Sequence, residues 1–311
     1  MFEYAVRRVL GILFTLLLLS LFTFALSRTV PGGPWLQGAE IPMSEKQIVQ
    51  FKAKYGLDRP VWQQYLVWLR NALVLDFGTP FSAPEKSVTA IIRDLLPYSA
   101  LVGGLAATFA VTIGITIGLI AANHANSWFD HGVTIFSVAF GIIPSFVLGF
   151  ILVYIFAARL RWLPAGGWGG PDHLILPVVA YGLPAVGGVA RWTRQCVLEG
   201  FQSDYVRTAK AKGLGGRAIM TRHVLRNALI PMVTSFLPMF PGMMTGSIFI
   251  EKVFGLPGLG SWFVLSSTNR DYPMVLGITI FWAVIIMTTF LITDLLYGLI
   301  DPRVRVAGGQ R

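Results

Sequence analysis

Six stretches free of charged residues divide the chain, at 9–27, 99–122, 132–158, 174–190, 227–250 and 273–293. Each approaches or exceeds the roughly 20 residues with which a helix crosses about 30 Å of hydrocarbon. The pattern predicts an all-α, polytopic membrane protein with six transmembrane helices. The fourth stretch is the weakest, because it holds only 17 residues and carries Pro177, Gly182, Pro184, Gly187 and Gly188. Such residues break helices in water but are tolerated where neighbouring helices re-satisfy the freed backbone groups. The first stretch also fits a signal peptide, since Arg7 and Arg8 precede it and Ala25-Leu26-Ser27 resembles a cleavage site. Nineteen uncharged residues are long for that role and five more stretches follow, so an uncleaved first helix is expected.

The polar segment after the first stretch has helical punctuation of its own. Ser44 suits the N-cap of a helix over 45–55, Gly56 its C-terminal cap, and Pro60 the first turn of a second helix through Arg70. Val61, Tyr65, Trp68 and Leu69 fall on one face of that second helix. The expected organisation is a cytoplasmic N-terminus with the first helix (1–30), a folded extracytoplasmic helical cap (31–98), a transmembrane core (99–300) and a cytoplasmic tail (301–311). Two interfacial helices lying on the outer leaflet are the alternative to the cap.

Composition agrees with the membrane reading: 54% of the 311 residues are hydrophobic and 13% charged, against about a quarter charged in soluble domains. Charge also sets the orientation. With six spans both termini share a side, and the loops on that side hold thirteen Lys and Arg, against four in the two short opposite loops. The remaining loop is longer than the roughly 60 residues to which the positive-inside rule applies. Both termini are therefore expected in the cytoplasm. The loop 123–131 contains no Lys or Arg, so the orientation rests mainly on 191–226. A single cysteine, Cys196, excludes an internal disulfide, and the sequence has no Cys/His metal spacing and no GxxxxGK[ST] phosphate loop.

That leaves the most basic segment, DYVRTAKAKGLGGRAIMTRHVLRN (204–227), with seven basic side chains, His223 among them. Asp204, or Ser203 before it, can cap a short helix through Lys212, which Gly213 ends by taking the left-handed conformation. A second helix from about Arg217 is expected to run without a breaker into the fifth stretch. The segment then reads as a helical elbow. Charge alone fits a topology signal touching anionic headgroups, worth about 1 kcal/mol per basic residue. It equally fits a knob that docks in a soluble partner and passes that partner's movement to the attached span. Nucleic acid is disfavoured, because no aromatics interleave the charges.

From Gln202 to Pro231 the chain resembles the coupling segment of ABC-importer permeases, whose form is Glu-Ala-Ala, three residues, Gly, nine residues, Ile-x-Leu-Pro. With Gly213 as that glycine, the leading positions are Arg207, Thr208 and Ala209, and the trailing ones His223, Val224, Leu225 and Arg226. Only Ala209, Gly213 and Leu225 match the general form. The leading Arg is similar to that of the dipeptide/oligopeptide/nickel transport permease family. VPGGPW (30–35), with Gly33 where that family has Asp, YGLDRPVWQQY (55–65), LDFGTP (75–80), VFGLPGLG (253–260) and DLLYGLIDPRVR (294–305) resemble its other hallmarks, in order and nearly end to end.

The resemblance implies the type I importer permease fold and a place in a bacterial or archaeal plasma membrane. The chain would form half of a pathway for peptides or similar small solutes and would not itself be an enzyme. Implied partners are a second permease, as a heterodimer, two cytoplasmic ATPases that carry the ATP and Mg, and an extracytoplasmic solute-binding protein. No cofactor is implied on this chain. The implied ATPase-coupling residues are Asp204, Tyr205, Arg207, Thr208, Ala209, Lys210, Ala211, Lys212, Gly213 and Leu214.

Met232, Met239, Met243 and Met244, among prolines and glycines, offer a deformable surface suited to lining a pathway; ordinary helix packing explains them equally. Arg191, Trp192 and Arg194 close the fourth stretch as a candidate cytoplasmic gate or as topology anchors. Asp294 is expected to pair with Arg303 or Arg305, or to mark the interface. An ion-coupled secondary transporter would show midplane carboxylates or paired broken helices, and no charge appears in the middle of a stretch. A membrane-embedded hydrolase would need His or carboxylates inside spans. Nickel, glutathione and oligosaccharides remain open as solutes.

Overall fold

The computed structural model describes residues 2–29, 32–36 and 43–300, with the side chains of 6–29, 32–36 and 43–295. The tail 301–311, with Arg303 and Arg305, and Val30 and Pro31 of the VPGGPW turn lie outside the described residues. Every regular element among the described residues is helical. The chain divides into two units: Met1–Pro97 with Gly258–Leu291, and Tyr98–Pro257 with Ile292–Arg311.

In the first unit, α1 (Phe2–Thr29) is one continuous helix whose Leu10, Leu13, Phe14, Leu17, Leu21 and Phe22 are exposed, the apolar surface a lipid-facing helix presents. α2 (Glu45–Lys54) starts as expected, with a reciprocal capping box between Ser44 and Gln47, and Gly56 follows its C-cap at φ +64°. α3 (Val61–Ala72) lies along α1: the Tyr65 and Ser20 hydroxyls are 2.9 Å apart, and the Phe24 ring meets Tyr65 and Trp68. Val61, expected on that face, is 52% exposed. Tyr65, Trp68 and Leu69, the other three residues of that face, are half-buried. Leu259 of α13 (Leu259–Thr268) and Met274 and Ile278 of α14 (Tyr272–Ile300) close a core around Phe77 and Val88. Asp271, fully buried, is held by Ser82, whose backbone N–H and hydroxyl both donate to Oδ2, at 2.9 and 2.6 Å.

The second unit shows why the weakest apolar stretch folds as a helix. α7 (Asp172–Gln202) is continuous over 31 residues despite Pro177 and Pro184, and its glycines are contact points. A Cβ on Gly187 would stand 2.7 Å from Ser137 Cα of α5 (Trp128–Ile142), and one on Gly182 would stand 2.8 Å from the Ala106 carbonyl of α4 (Val88–Asn123). Gly114 and Gly118 of α4 return the approach against Val189 and Ala190 of α7, the small-xxx-small spacing by which membrane helices bring their backbones together. Gly118→Leu is expected to cost roughly 1–3 kcal/mol by overpacking, because its Cβ would lie 2.5 Å from the Ala190 carbonyl. Fluorescence-detected size exclusion of heated samples should show a lower melting temperature.

Two apolar stretches differ from expectation. The third is broken: Ile143 is extended before Pro144, and α6 (Ser145–Leu152), prolonged by a π-helical Val153–Arg159, leaves α5 at 99°. The fifth is not one helix either. It comprises α10 (Leu225–Phe236), α11 (Met239–Met244) and α12 (Ile248–Val253). Pro238 and Pro241 remove backbone donors, and Gly246 turns the chain at φ +97° with Glu251 Oε1 and Ser99 pressed against it. Four helices among the described residues are long and apolar enough to cross a bilayer, and the bent α5–α6 pair is a fifth candidate. The sequence pattern counts six spans, of which the described residues show four as single helices and a fifth as a bent pair.

Candidate coupling segment

α7 ends at Gln202, where Ser203 turns the chain into α8 (Asp204–Ala211). The Ser203 hydroxyl donates back to the Glu199 carbonyl instead of capping α8, so Asp204, at the positive end of the helix dipole, is the favourable charge there. Lys212 is the C-cap and Gly213 follows at φ +76°. The Gly213 N–H donates to the Lys210 carbonyl at 2.9 Å and the Leu214 N–H to the Ala209 carbonyl at 3.2 Å, the paired bonds of a Schellman ending. The chain then re-enters helix as α9 (Gly216–Ile219), widens into a π-helical turn at Met220–Val224 and runs on as α10. The expected elbow is therefore present up to Phe236, and the breaks follow it.

The inner side of α8 is sealed. Val206 is fully buried and Ala209 is 3% exposed, both packed with Val197 of α7, Ile219 of α9, Val224 of the π turn and Met232 of α10. Gly200 of α7 allows the π turn to close in, since a Cβ there would stand 2.9 Å from Val224 Cγ1. Leu214 packs half-buried on the same cluster. Asp204, Tyr205, Arg207, Thr208, Lys210, Ala211 and Lys212 are exposed. Ala209, expected among the docking side chains, is thus a core residue, because Val206 and Ala209 at i and i+3 share the face turned inward. The Arg207–Asp204 pair, 3.4 Å apart and largely solvated, contributes little.

The other expected sites are redistributed. Arg194, a candidate gate residue, is paired: its Nε and Nη2 form a two-pronged pair with both carboxylate oxygens of Asp130, the second bond at 2.6 Å. Asp130 is 3% exposed and also accepts from the Asn126 backbone N–H at 2.9 Å. The basic-free loop was silent in the sequence, yet it supplies the acid that holds α7. Arg191 and Trp192 are exposed. Met232 and Met243 are buried, Met239 packs against two core clusters, and Met244 is 36% exposed. Met232 and Met243 therefore act here as packing residues. Glu251 was missed: it is 2% exposed and accepts from the Ser99 hydroxyl at 2.7 Å. Its only sequence signal was being the first charge after Arg226.

Residues 1–100 match the family described as "Binding-prot-dependent transport system membrane comp, N-term", and residues 114–306 match "Binding-protein-dependent transport system inner membrane component". The chain belongs to this family of transport components. Relatives extend end to end. An oligopeptide transport system permease protein of Haemophilus influenzae is 41% identical, covering 98% of this chain and 100% of its own. A dipeptide transport system permease protein of Bacillus subtilis is 36% identical, covering 98% and 99%. An oligopeptide transport system permease protein of Salmonella typhimurium is 38% identical, covering 98% and 100%. This binding-protein-dependent permease is thus a multi-pass inner-membrane transport component and not an enzyme.

Proposed function

We propose that this permease carries oligopeptides or dipeptides, as the names of its relatives indicate for them, and forms half of a pathway with a second, homologous permease. Six crossings are proposed, with the bent α5–α6 pair and the broken 225–253 segment each counting as one. Both termini are assigned to the cytoplasm on the basic residues of 191–226. A solute-binding protein delivers the solute from the other side, and two cytoplasmic ATPases supply the work.

One observation carries the coupling proposal: α8 has a sealed side continuous with α7 and α10 and an opposite side bearing Tyr205, Arg207, Lys210 and Lys212 in solvent. A helix held this way cannot rotate without moving its neighbours. Closure of the docked ATPases would swing α8, and the packed cluster would pass that motion to α10 and α7. The pathway would then alternate between outward and inward openings. The basic side chains offer charge-assisted donors to carboxylates or carbonyls of an ATPase groove.

Reversing Arg207 and Lys210 to Glu together tests this. The expected outcome is about a tenfold or greater loss of co-purified ATPase, the scale of 1.4 kcal/mol, with unchanged permease in the membrane fraction. A complex of normal composition would leave only lipid contact for these charges.

A further inference from the structure

Beside α1 the first unit holds a half-enclosed cavity of about 250 Å³ whose lining includes Arg28, Gln64, Trp68, Asp76, Phe81 and Tyr272. Three polar atoms on these residues are buried without a hydrogen-bond partner among the described residues: Arg28 Nε, Gln64 Oε1 and Trp68 Nε1. Orphans of this kind are rare and call for an occupant. Their arrangement is specific. The Arg28 guanidinium carbon lies 4.9 Å from the centre of the Phe24 ring and 4.6 Å from that of Tyr272. The rings hold the cation by its π faces, and its N–H groups, which lie in the guanidinium plane, are the part left to bind an anion. The Gln64 amide nitrogen donates to the Leu57 and Arg59 carbonyls at 3.3 and 2.7 Å, so the orientation of the amide is fixed and its oxygen can only accept. The residues that line the cavity thus carry guanidinium and indole donors for an anion and, with them, an amide acceptor and the Asp76 carboxylate for a cation.

Location selects the source. The uncharged stretch 9–27 of α1 holds 19 residues, about 28 Å of helix at 1.5 Å per residue, and Arg28 follows it directly, in the last turn of α1. That places Arg28 at the edge of about 30 Å of hydrocarbon, at headgroup level. Trp68 and Tyr55 on the lining have the amphipathic rings found at that level. We infer that this cavity binds the headgroup of a zwitterionic phospholipid, phosphate on Arg28 and Trp68 Nε1 and ammonium toward Gln64 Oε1 and Asp76. The bound lipid would tie α3 to α1, and its acyl chains would follow the exposed apolar face of α1.

The test uses the full-length permease, purified in the complex it assembles, and follows thermal unfolding with dihexanoyl phosphatidylethanolamine, inorganic phosphate or trialanine at matched concentrations. Only the lipid is expected to raise the melting temperature. Trp68→Phe, which keeps the ring and deletes the N–H, should need about tenfold more lipid for the same rise, and Arg28→Gln should abolish it. If Arg28→Gln fails to fold, Trp68→Phe decides. An equal rise with inorganic phosphate would mean a site for a free anion, and a rise with trialanine a site for solute. Either result overturns the inference, as does no rise with the lipid or a lipid response that Trp68→Phe leaves unchanged.

Discussion

Removing Arg194 is expected to destabilise the permease by about 3–5 kcal/mol, the range for breaking a buried ion pair by deleting one partner. The two halves of the pair are unequal, and that gives the prediction its shape. Asp130 has 3% of its side chain exposed and Arg194 28%. Arg194→Met strands a carboxylate that water cannot reach, leaving it the Asn126 N–H alone. Asp130→Leu strands a guanidinium that is already more than a quarter solvated, so it should cost distinctly less. The double variant should recover part of the Arg194→Met loss, since no unpaired buried charge remains. Melting temperatures of the four proteins in detergent decide this double-mutant cycle; additive losses would show that the pair is not coupled.

Gly213→Val should cut the proposed ATP-driven uptake about tenfold or more while leaving permease in the membrane. The residue sits at φ +76°, and a Cβ there would meet nothing within 4 Å, so the penalty comes from conformation and not collision. A left-handed residue with a Cβ costs roughly 1–2 kcal/mol, and a β-branched one more. Relieving that strain means abandoning the two closing bonds of α8, from Gly213 to the Lys210 carbonyl and from Leu214 to the Ala209 carbonyl. Leu214 then leaves its seat on the core cluster, and α8 loses its fixed angle to α10. Gly213→Asn is the control: asparagine tolerates the left-handed region and should retain most uptake. Reconstituted vesicles measure uptake and ATP hydrolysis together. Hydrolysis without uptake in the valine variant is the expected signature, and unchanged uptake would remove the elbow from the mechanism.

Signals carried by a few neighbouring residues were legible in advance. Ser44, Gly56 and Gly213 each act within one or two turns, so backbone preference and side-chain reach decide them before any packing. Others needed the third dimension. Pro177, Gly182, Pro184 and Gly187 read as weakness in the fourth stretch, yet two of these glycines are where α7 meets α4 and α5. Met232 and Met243 read equally as lining or packing because a methionine's chemistry suits both, and only their burial in this chain separates the two roles. Arg194 read as a candidate gate or topology anchor because its acid lies 64 residues earlier, on a loop noted only for its lack of Lys and Arg.

The sequence by itself determined that this chain lives in a bilayer, where its apolar stretches lie, and that a basic, glycine-ended helix lies between the fourth and fifth of them. Those are consequences of composition and local conformation, which neighbours along the chain supply. Only the tertiary structure decided which side of that helix is sealed and which is free, that the third and fifth stretches bend or break, and which charges are paired. Such choices depend on residues far apart in sequence competing for the same contacts, and no local pattern records who wins.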